Sequence, residues 1–246
     1  MIERLTDPAI LEPVLNRDWP WAGFAIGDLE PVWMRQCEWW RADGTVVLLF
    51  DGLKPRLVSH YGDNSGLAAI LASMKEDRIW ANIRTESLAI FERFYRPVKA
   101  VTMHRMYLDR PVDSTGEAVR LTSSDRLEIE ELLKQGEWVL FLPDALAAGH
   151  YYGIREHGRL IALAGTHLAS VRYNVAGLGS VFTHPDYRGR GLAKICCSHV
   201  LASVGRAGIG RVVLNVEEEK VAARGIYERL GFRMACTYLD GECVRI

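Results

Sequence analysis

The fold class that the 246-residue sequence predicts is α/β (α+β), with a mixed central sheet flanked by helices. One observation behind it is a strand that runs into a glycine-rich turn and then a helix, within residues 174–204. Another is the alternation of short strands with helices on both sides of this segment. A similar order of elements occurs in both halves of the chain. Two domains of ordinary size therefore fit this length better than one.

Composition excludes several classes of protein. The net charge is −1, and hydrophobic and charged residues make up 49% and 25% of the chain, as in ordinary globular proteins. Acidic and basic residues are interspersed, which argues against an obligate nucleic-acid partner. No apolar run approaches a membrane span, and the N-terminus lacks the pattern of a signal peptide. Five cysteines without C-x-x-C spacing indicate reduced thiols in a cytoplasmic protein, with neither disulfides nor a metal site. Cys196 and Cys197 are expected in the core.

The first half predicts two short helical pieces followed by strands and helices. Prolines break residues 1–30 into the two pieces. Alternating and β-branched residues then predict three strands, with Asp43 and Gly44 as a hairpin turn between the first two. The predicted ranges are strands Val32–Trp40, Thr45–Phe50 and Pro55–His60, a helix over 67–74, a strand Ile79–Ile83, a helix Glu86–Phe94 and a strand Val98–Leu108.

A polar, turn-rich stretch at 110–116 marks the predicted boundary between domains 1–112 and 113–246. The second half begins with a short strand and a helix that Ser123 or Ser124 caps. The other predicted ranges are a helical piece Pro143–Ala148, strands Tyr151–Glu156, Leu160–Leu168 and Asn174–Thr183, a helix Leu192–Val204, a strand Arg211–Val216, a helix Val221–Leu230 and a strand from Phe232.

The most informative stretch is Val181–Ala193, which reads VFTHPDYRGRGLA. Its glycines stand where a strand passes into the N-terminus of a helix. Unpaired backbone N–H groups and the positive end of the helix dipole suit a phosphate there. Arg188, Arg190 and Lys194 add positive charge around the same turn. The alternative is a glycine-rich connection stiffened by surface arginines, because short motifs match by chance.

Arg188, Gly191 and Ala193 fit the pattern R/Q-x-x-G-x-G/A, and a strand and His-Pro precede them. This stretch resembles motif A of the GCN5-related N-acetyltransferase (GNAT) family. The segment Val212–Phe232 resembles the family's motif B, N-x-x-A-x-x-x-Y-E-x-L-G-F. The matching residues are Ala223, Tyr227, Glu228, Leu230, Gly231 and Phe232. Lys220 stands where the family has an asparagine that touches the coenzyme.

The resemblance implies a GNAT acyl-CoA acyltransferase fold in the second half. The element order of the first half suggests a degenerate copy, as in the two-domain FR47-like and glycine N-acyltransferase-like branch. The resemblance also implies acetyl-CoA, or another acyl-CoA, as cosubstrate. The coenzyme-binding residues it implies are Val181, Phe182, Thr183, Arg188, Gly189, Arg190, Gly191, Leu192, Ala193 and Lys220.

Acyl transfer needs an acid for the leaving thiolate and a base for the amine. Tyr227 matches the family's general-acid tyrosine, and the alternative is a core tyrosine with a satisfied hydroxyl. The sequence does not identify the base. A water chain and four side chains are open for that role, and Asn215 is a candidate to point into the site. The four are His150, His167, His184 and Glu217.

The function that follows is transfer of an acetyl group from acetyl-CoA to an amine by direct attack in a ternary complex. The acceptor is a small molecule or a peptide, and a homodimer is left open. Two alternatives remain at this point. One is a non-catalytic acyl-CoA binding or sensing module, because the motif-B asparagine and an assigned base are missing. The other is an O-acyltransferase or a longer-chain acyltransferase, since fold does not fix the acceptor.

Overall fold

A computed structural model describes residues 1–110, 112–136, 139–141 and 143–246. The chain forms two compact units. Unit 1 comprises Met1–Met106, Asn215–Glu219 and Met234–Ile246, and unit 2 comprises Tyr107–Leu214 and Lys220–Arg233. Two segments from the C-terminal half of the chain, Asn215–Glu219 and Met234–Ile246, thus belong to unit 1. The predicted linker at 110–116 includes Pro111, which lies outside the described residues.

Unit 1 begins with a strand and three helices, followed by an antiparallel run of strands. Its elements up to residue 108 are β1 (Ile2–Leu5), α1 (Pro8–Asn16), α2 (Trp19–Gly27), α3 (Pro31–Met34), β2 (Cys37–Ala42), β3 (Thr45–Phe50), β4 (Leu57–Gly62), α4 (Leu67–Ser73), β5 (Arg78–Arg84), α5 (Leu88–Phe91) and β6 (Tyr95–Leu108). The predicted strand Val32–Trp40 is wrong in its first part. Pro31 occupies the start of α3, where its fixed φ suits a helix and its missing N–H leaves no bond unmade.

Unit 2 adds a second set of strands and helices. Its elements, with the final strand of the chain, are β7 (Val119–Arg120), α6 (Arg126–Leu133), β8 (Tyr152–Glu156), β9 (Arg159–Ser170), β10 (Val175–Thr183), α7 (Leu192–Arg206), β11 (Arg211–Glu217), α8 (Val221–Leu230) and β12 (Arg233–Arg245). Residues Pro143–Ala148 form a 3-10 helix. Thr122, rather than Ser123 or Ser124, caps the turn that leads into α6.

The sheet of each unit is mixed, as predicted. In unit 1, β1 to β4 are antiparallel, β5 runs parallel to β4, and β12 pairs antiparallel with β5. In unit 2, β7 to β10 are antiparallel and β11 runs parallel to β10. Each parallel pairing covers three residues of either strand, and one helix, α4 or α7, connects the two strands. The parallel strands therefore meet at one end only.

Apolar side chains from helices and strands form a separate core in each unit. In unit 1, α4 and α5 pack on the sheet through Leu67, Ile70 and Phe91, all at most 1% exposed. In unit 2, α6 packs on the sheet through Ile129 and Leu132. Cys196 and Cys197 are fully buried on α7, which confirms the prediction that they are core residues. All five cysteines are free thiols.

Asp28 gives unit 1 a stability that depends on pH. The residue ends α2, and burial raises the pKa of its carboxyl from 3.8 to about 7. Between pH 4 and 7 the folded protein keeps a proton that the unfolded chain has lost, so stability falls as the pH rises through this window. We expect Asp28→Asn to raise the stability at pH 8 by about 2–4 kcal/mol and to change it little at pH 4. Melting temperatures of both proteins at the two pH values test this, and an equal difference at both would contradict it.

Candidate acyl-coenzyme A site

The turn after β10 is a single 3-10 turn that His184 caps. The amide of Tyr187 donates to the His184 carbonyl (2.9 Å), and the His184 Nδ1 accepts from the Asp186 amide (3.3 Å). The imidazole also packs edge-on against the Tyr187 ring, with centroids 5.5 Å apart. These contacts give His184 a structural role in shaping the turn.

Two glycines after this turn have left-handed backbones. Gly189 has φ +78° and Gly191 has φ +77°, a region that residues with a Cβ rarely adopt. Apart from the adjoining residues of the chain, no atom of a described residue lies within 4 Å of where a Cβ would stand on either glycine. The backbone of the loop is therefore open on this side, and a ligand can approach its amides directly.

Gly191 is also the N-cap of α7. It has no side chain to bond the first amides of the helix, and the amide of Ile195 makes the first helical bond, to the Gly191 carbonyl (3.2 Å). The amides of Leu192, Ala193 and Lys194 come before that bond in the first turn. Together with the dipole of a 15-residue helix they form a site for an anion.

The basic residues around the loop differ in their partners. Arg190 pairs with Glu156 (2.9 Å) and lies over the Tyr187 ring, 5.4 Å from its centroid. The hydrogen bond from Arg190 holds the pKa of Glu156 below its usual range. Arg188 is exposed and donates to the Thr183 carbonyl (3.4 Å). Neither Arg188 nor Lys194 forms an ion pair with a residue that the structure describes. The loop therefore keeps positive charge for a ligand.

The end of β10 departs from regular pairing. Its register with β9 shifts between Gly177 and Leu178 and again between Gly179 and Phe182, and Ser180 has φ +49°. Three of the predicted coenzyme-binding positions, Val181, Phe182 and Thr183, directly follow Ser180. Phe182 sits in the hydrophobic core. The buried Thr183 hydroxyl has no hydrogen-bond partner among the described residues.

Tyr227 lies on α8, against α7. Its side chain is 8% exposed and packs edge-to-face with Phe232, with centroids 6.0 Å apart. Burial, and to a smaller extent the nearby Cys197 thiol, raises the pKa of the phenol, so it stays protonated at neutral pH. Gly231 ends α8 with φ +96°, the left-handed conformation expected after a helix. Lys220 is the N-cap of α8, two helical turns before Tyr227.

The candidate bases and Asn215 differ in their surroundings. His150 bonds Ser203, near the far end of α7 from Gly191, and burial lowers its pKa. Asn215 and Glu217 count with unit 1. His167 stands beside the β10 bulge, where its Nε2 lies 3.2 Å from both the Ser180 amide nitrogen and the Leu140 carbonyl oxygen.

Sequence reasoning missed the polar network of this bulge. The Ser180 hydroxyl donates to the Leu140 carbonyl (2.8 Å), and the Tyr151 hydroxyl lies 3.2 Å from it. The one available signal was a pair of glycines, Gly177 and Gly179, inside a predicted strand, because such glycines mark bulges or close approaches of backbone.

The part of the chain that holds the glycine loop is similar to a known protein family. The model of the Acetyltransferase (GNAT) family matches residues 117–232, which include the glycine loop, α7 and α8. This match covers slightly less than half of the chain. The GNAT superfamily membership inferred from the two motifs is thereby supported.

Two bacterial relatives of this chain are distant in sequence. An [Ribosomal protein bS18]-alanine N-acetyltransferase of Escherichia coli (strain K12) is 27% identical over 84 residues, which are 34% of this chain and 55% of the relative. The match therefore spans about half the length of that curated relative. Another match of the same extent is the protein of that name from Shigella flexneri.

Solved structures show the same fold over nearly the whole chain. A GNAT-family structure from Novosphingobium aromaticivorans has a TM-score of 0.61 at 22% identity and covers 93% of this chain and 96% of its own. A GCN5-related N-acetyltransferase from Sphaerobacter thermophilus has a TM-score of 0.67 at 16% identity, covering 99% and 95%. At these identities the likeness concerns the fold, which is the predicted GNAT fold with its mixed sheet and flanking helices.

Two features are absent from the described residues. They contain no cluster of three or more His, Cys, Asp or Glu side chains arranged to hold a metal ion. Within the same ranges, none of the helices combines the length and the apolar character needed to span a bilayer.

Proposed function

We propose that this protein is an acyl-CoA-dependent N-acyltransferase that transfers an acetyl group from acetyl-CoA to an amine. The observation that carries the proposal is the open loop at Gly189 and Gly191, whose backbone leads into the uncapped N-terminus of α7. Such a site suits the pyrophosphate of a coenzyme. Arg188 and Lys194 are basic neighbours without an ion-pair partner in the described part of the chain, and Arg190 stands beside them.

In the proposed reaction, the amine nitrogen attacks the thioester carbon in a ternary complex and no covalent enzyme intermediate forms. The C–S bond then breaks, the thiolate takes a proton and the new amide nitrogen loses one. Val181, Phe182 and Thr183 hold the pantetheine arm and polarise the carbonyl through their backbone. Tyr227 protonates the thiolate, and Lys220 contacts a phosphate in place of the family's asparagine.

The acceptor is proposed to be a small-molecule or peptide amine. The bacterial relatives are named for acetylating an alanine of a ribosomal protein, which supports a peptide amine as one arm of a screen. The protein is further proposed to act in the cytoplasm and to need no metal, and a homodimer is the oligomer to test first.

Unit 1 is proposed to be a degenerate copy of the GNAT fold, as in the two-domain FR47-like branch. Its β4–α4–β5 arrangement repeats β10–α7–β11, with three residues of parallel pairing in each. The turn before α4, however, is closed by its own side chains. The Gly66 amide donates to the Thr45 hydroxyl (2.9 Å), and Asp63 accepts from the Ser65 amide (2.9 Å). The hydrogen bonds from the Ser65 hydroxyl and from the Ser65 amide hold the pKa of Asp63 below its usual range, so an anion already occupies this turn.

We therefore expect one coenzyme per chain. The carboxylate of Asp63 repels a phosphate at the α4 turn, whereas the α7 loop attracts one. Calorimetric titration with CoA should give a stoichiometry of about one, with Asp63→Asn unchanged because the Thr45 bond still blocks the turn. Two equivalent sites per chain would show that unit 1 has kept a coenzyme site.

The central experiment is calorimetric titration with acetyl-CoA, CoA and a longer acyl-CoA, followed by thiol release with a panel of amines. Binding with turnover supports the proposal, and the preferred chain length identifies the donor. Binding without turnover of any amine would favour the acyl-CoA binding or sensing module. Absence of binding to all three would mean that the glycine loop is only a turn.

A further inference from the structure

The bulge in β10 holds one residue, Ser180, in an unusual way. Two residues of β10 lie between Gly179 and Phe182, whereas a single residue of β9 lies between the partners of these two. Ser180 is 2% exposed and has φ +49°, a conformation rare for a residue with a Cβ. A strained residue in a buried bulge persists only when its surroundings fix it, and such residues cluster at functional sites.

Three side-chain and backbone groups fix Ser180. The bulge takes its amide out of the β9 ladder, and the amide donates to the Nε2 of His167 (3.2 Å). The hydroxyl donates to the Leu140 carbonyl (2.8 Å) and lies 3.2 Å from the Tyr151 hydroxyl. Burial raises the pKa of Tyr151 to about 12, so this phenol keeps its proton at neutral pH. Because the Ser180 hydroxyl donates to Leu140, the Tyr151 hydroxyl is the donor in the hydrogen bond between the two hydroxyls.

His167 is built into this arrangement. Its ring lies against Gly179, where any Cβ would collide with the ring atoms, so Gly179 is what allows the imidazole to approach the strand. Burial lowers the pKa of His167, against the opposing effect of the Leu140 carbonyl, and so favours the neutral imidazole. In its Nδ1–H tautomer, Nε2 accepts the hydrogen bond from Ser180. The Leu140 carbonyl, also 3.2 Å from Nε2, competes for that atom only when the imidazole carries a proton there.

The orientation of Ser180 determines where the next amide points. The Val181 N–H lies in the rigid peptide plane attached to the Ser180 Cα. Ser180 is held on one side by the bonds to its amide and hydroxyl, and Phe182 is held on the other by pairing with Leu163, so the peptide plane between them has a defined direction. The Val181 N–H in that plane is one of the groups proposed to polarise the thioester carbonyl. A donor of this kind contributes to catalysis only if it is oriented before the reaction.

We infer that His167 is a positioning residue for acyl transfer, which holds the Ser180 amide so that the following amide of β10 points at the thioester carbonyl. The inference rests on the proposed function. This role differs from that of a general base, because the Nε2 of His167 accepts a hydrogen bond from the Ser180 amide and not a proton from the acceptor amine.

The test compares His167→Gln with His167→Asn. The Gln amide reaches the place of Nε2 and can accept from Ser180, whereas the shorter Asn amide reaches only the place of Nδ1. Both variants keep a polar side chain of similar size. His199→Asn serves as a control, since His199 bonds the Gly116 carbonyl (3.1 Å) elsewhere in unit 2. Unchanged affinity for CoA shows that each variant is folded.

The primary readout is the carbonyl stretch of acetyl-CoA labelled with 13C at the thioester carbon, which needs no acceptor. We expect bound acetyl-CoA to show a lowered frequency in the wild type, in His167→Gln and in His199→Asn. In His167→Asn the frequency returns towards that of free acetyl-CoA. With an acceptor, we expect the kcat of His167→Asn to fall at least about tenfold. Removing a whole hydrogen-bond donor to the developing oxyanion costs about 10²–10³-fold, and here the donor is only misdirected. KM for acetyl-CoA changes less than about twofold.

Two failures are distinguishable. A wild type that binds no acetyl-CoA, or binds it without a shift, contradicts the proposed function and this inference with it. A shift that is equally large in the wild type and in a folded His167→Asn overturns the inference alone. A loss of activity in both His167→Asn and His167→Gln, with the shift kept in both, would instead assign His167 as the base and also overturn it.

Discussion

Gly191→Glu is expected to weaken binding of CoA and acetyl-CoA by at least about 100-fold. The new carboxylate would stand at the uncapped N-terminus of α7, where the proposed pyrophosphate binds, and like charges placed together cost several kcal/mol. The position has room, because among the residues that the structure describes none but the adjoining ones lies within 4 Å of the added Cβ. The variant should therefore fold, with a loss of about 1–2 kcal/mol from its backbone at φ +77°.

Gly208→Glu provides the matched control. Gly208 follows α7, has φ +88° and also has open space around its Cβ position, so this variant carries the same new charge and a similar backbone strain. We expect it to bind CoA like the wild type while losing comparable stability. Gly191→Gln separates charge from shape, and it should bind CoA better than Gly191→Glu. Calorimetry of the four proteins makes the comparison. Wild-type affinity in a folded Gly191→Glu would refute the phosphate-loop assignment.

The glycine loop was predictable because its signals are local. Within the sequence HPDYRGRGLA, apolar residues resume a helical spacing at Leu192, and the structure begins α7 at that residue. The preceding strand ends at Thr183, also as predicted. A glycine whose φ must be positive and a helix N-terminus without a capping side chain are properties of a few adjacent residues.

Pairing over long distances was not predictable in the same way. Phe232 and the residues after it read as a strand, but nothing in them indicates that β12 pairs with β5, about 160 residues earlier. Strand partners are selected by the packing of whole elements. For the same reason, strand propensity at Val32 and Trp33 gave way to helix α3, since propensity is a weak prior that the local proline and the surrounding structure override.

The network at the β10 bulge shows the corresponding limit for the site. His167 lies on β9, Ser180 lies on β10 and Tyr151 immediately precedes β8, and each is unremarkable in its own segment. Their meeting depends on a one-residue bulge, which changes the side of the strand that each following residue faces. The glycines at 177 and 179 signal an irregular strand, but they do not name the side chains that fill the space.

Tyr227→Phe is expected to lower kcat by about 10²-fold or more, the usual contribution of a positioned acid or base. Affinity for acetyl-CoA should stay within about twofold, because the change removes one hydroxyl and keeps the ring that packs on Phe232. Tyr152→Phe is the control, since Tyr152 lies on β8 with its ring against His199. Steady-state kinetics with an amine from the screen measures both, and a kcat near that of the wild type would remove Tyr227 from the reaction.

The raised pKa of Tyr227 is compatible with an acid role because the same surroundings act on the leaving group. A phenol above its ordinary pKa of about 10 donates poorly to a thiolate with a pKa of about 8.5 in water. Burial, however, disfavours every anion, and it also raises the pKa of the thiol of Cys196 to about 12 on the adjacent helix. Burial also raises the pKa of a thiol released beside Tyr227. The thiolate therefore becomes a stronger base while the phenol becomes a weaker acid. Since the phenol keeps its proton, we expect kcat to show no alkaline decline from Tyr227 below about pH 10. Such a decline, present in the wild type and absent in Tyr227→Phe, would mean that the phenol ionises in the working range and is not held as the buried acid.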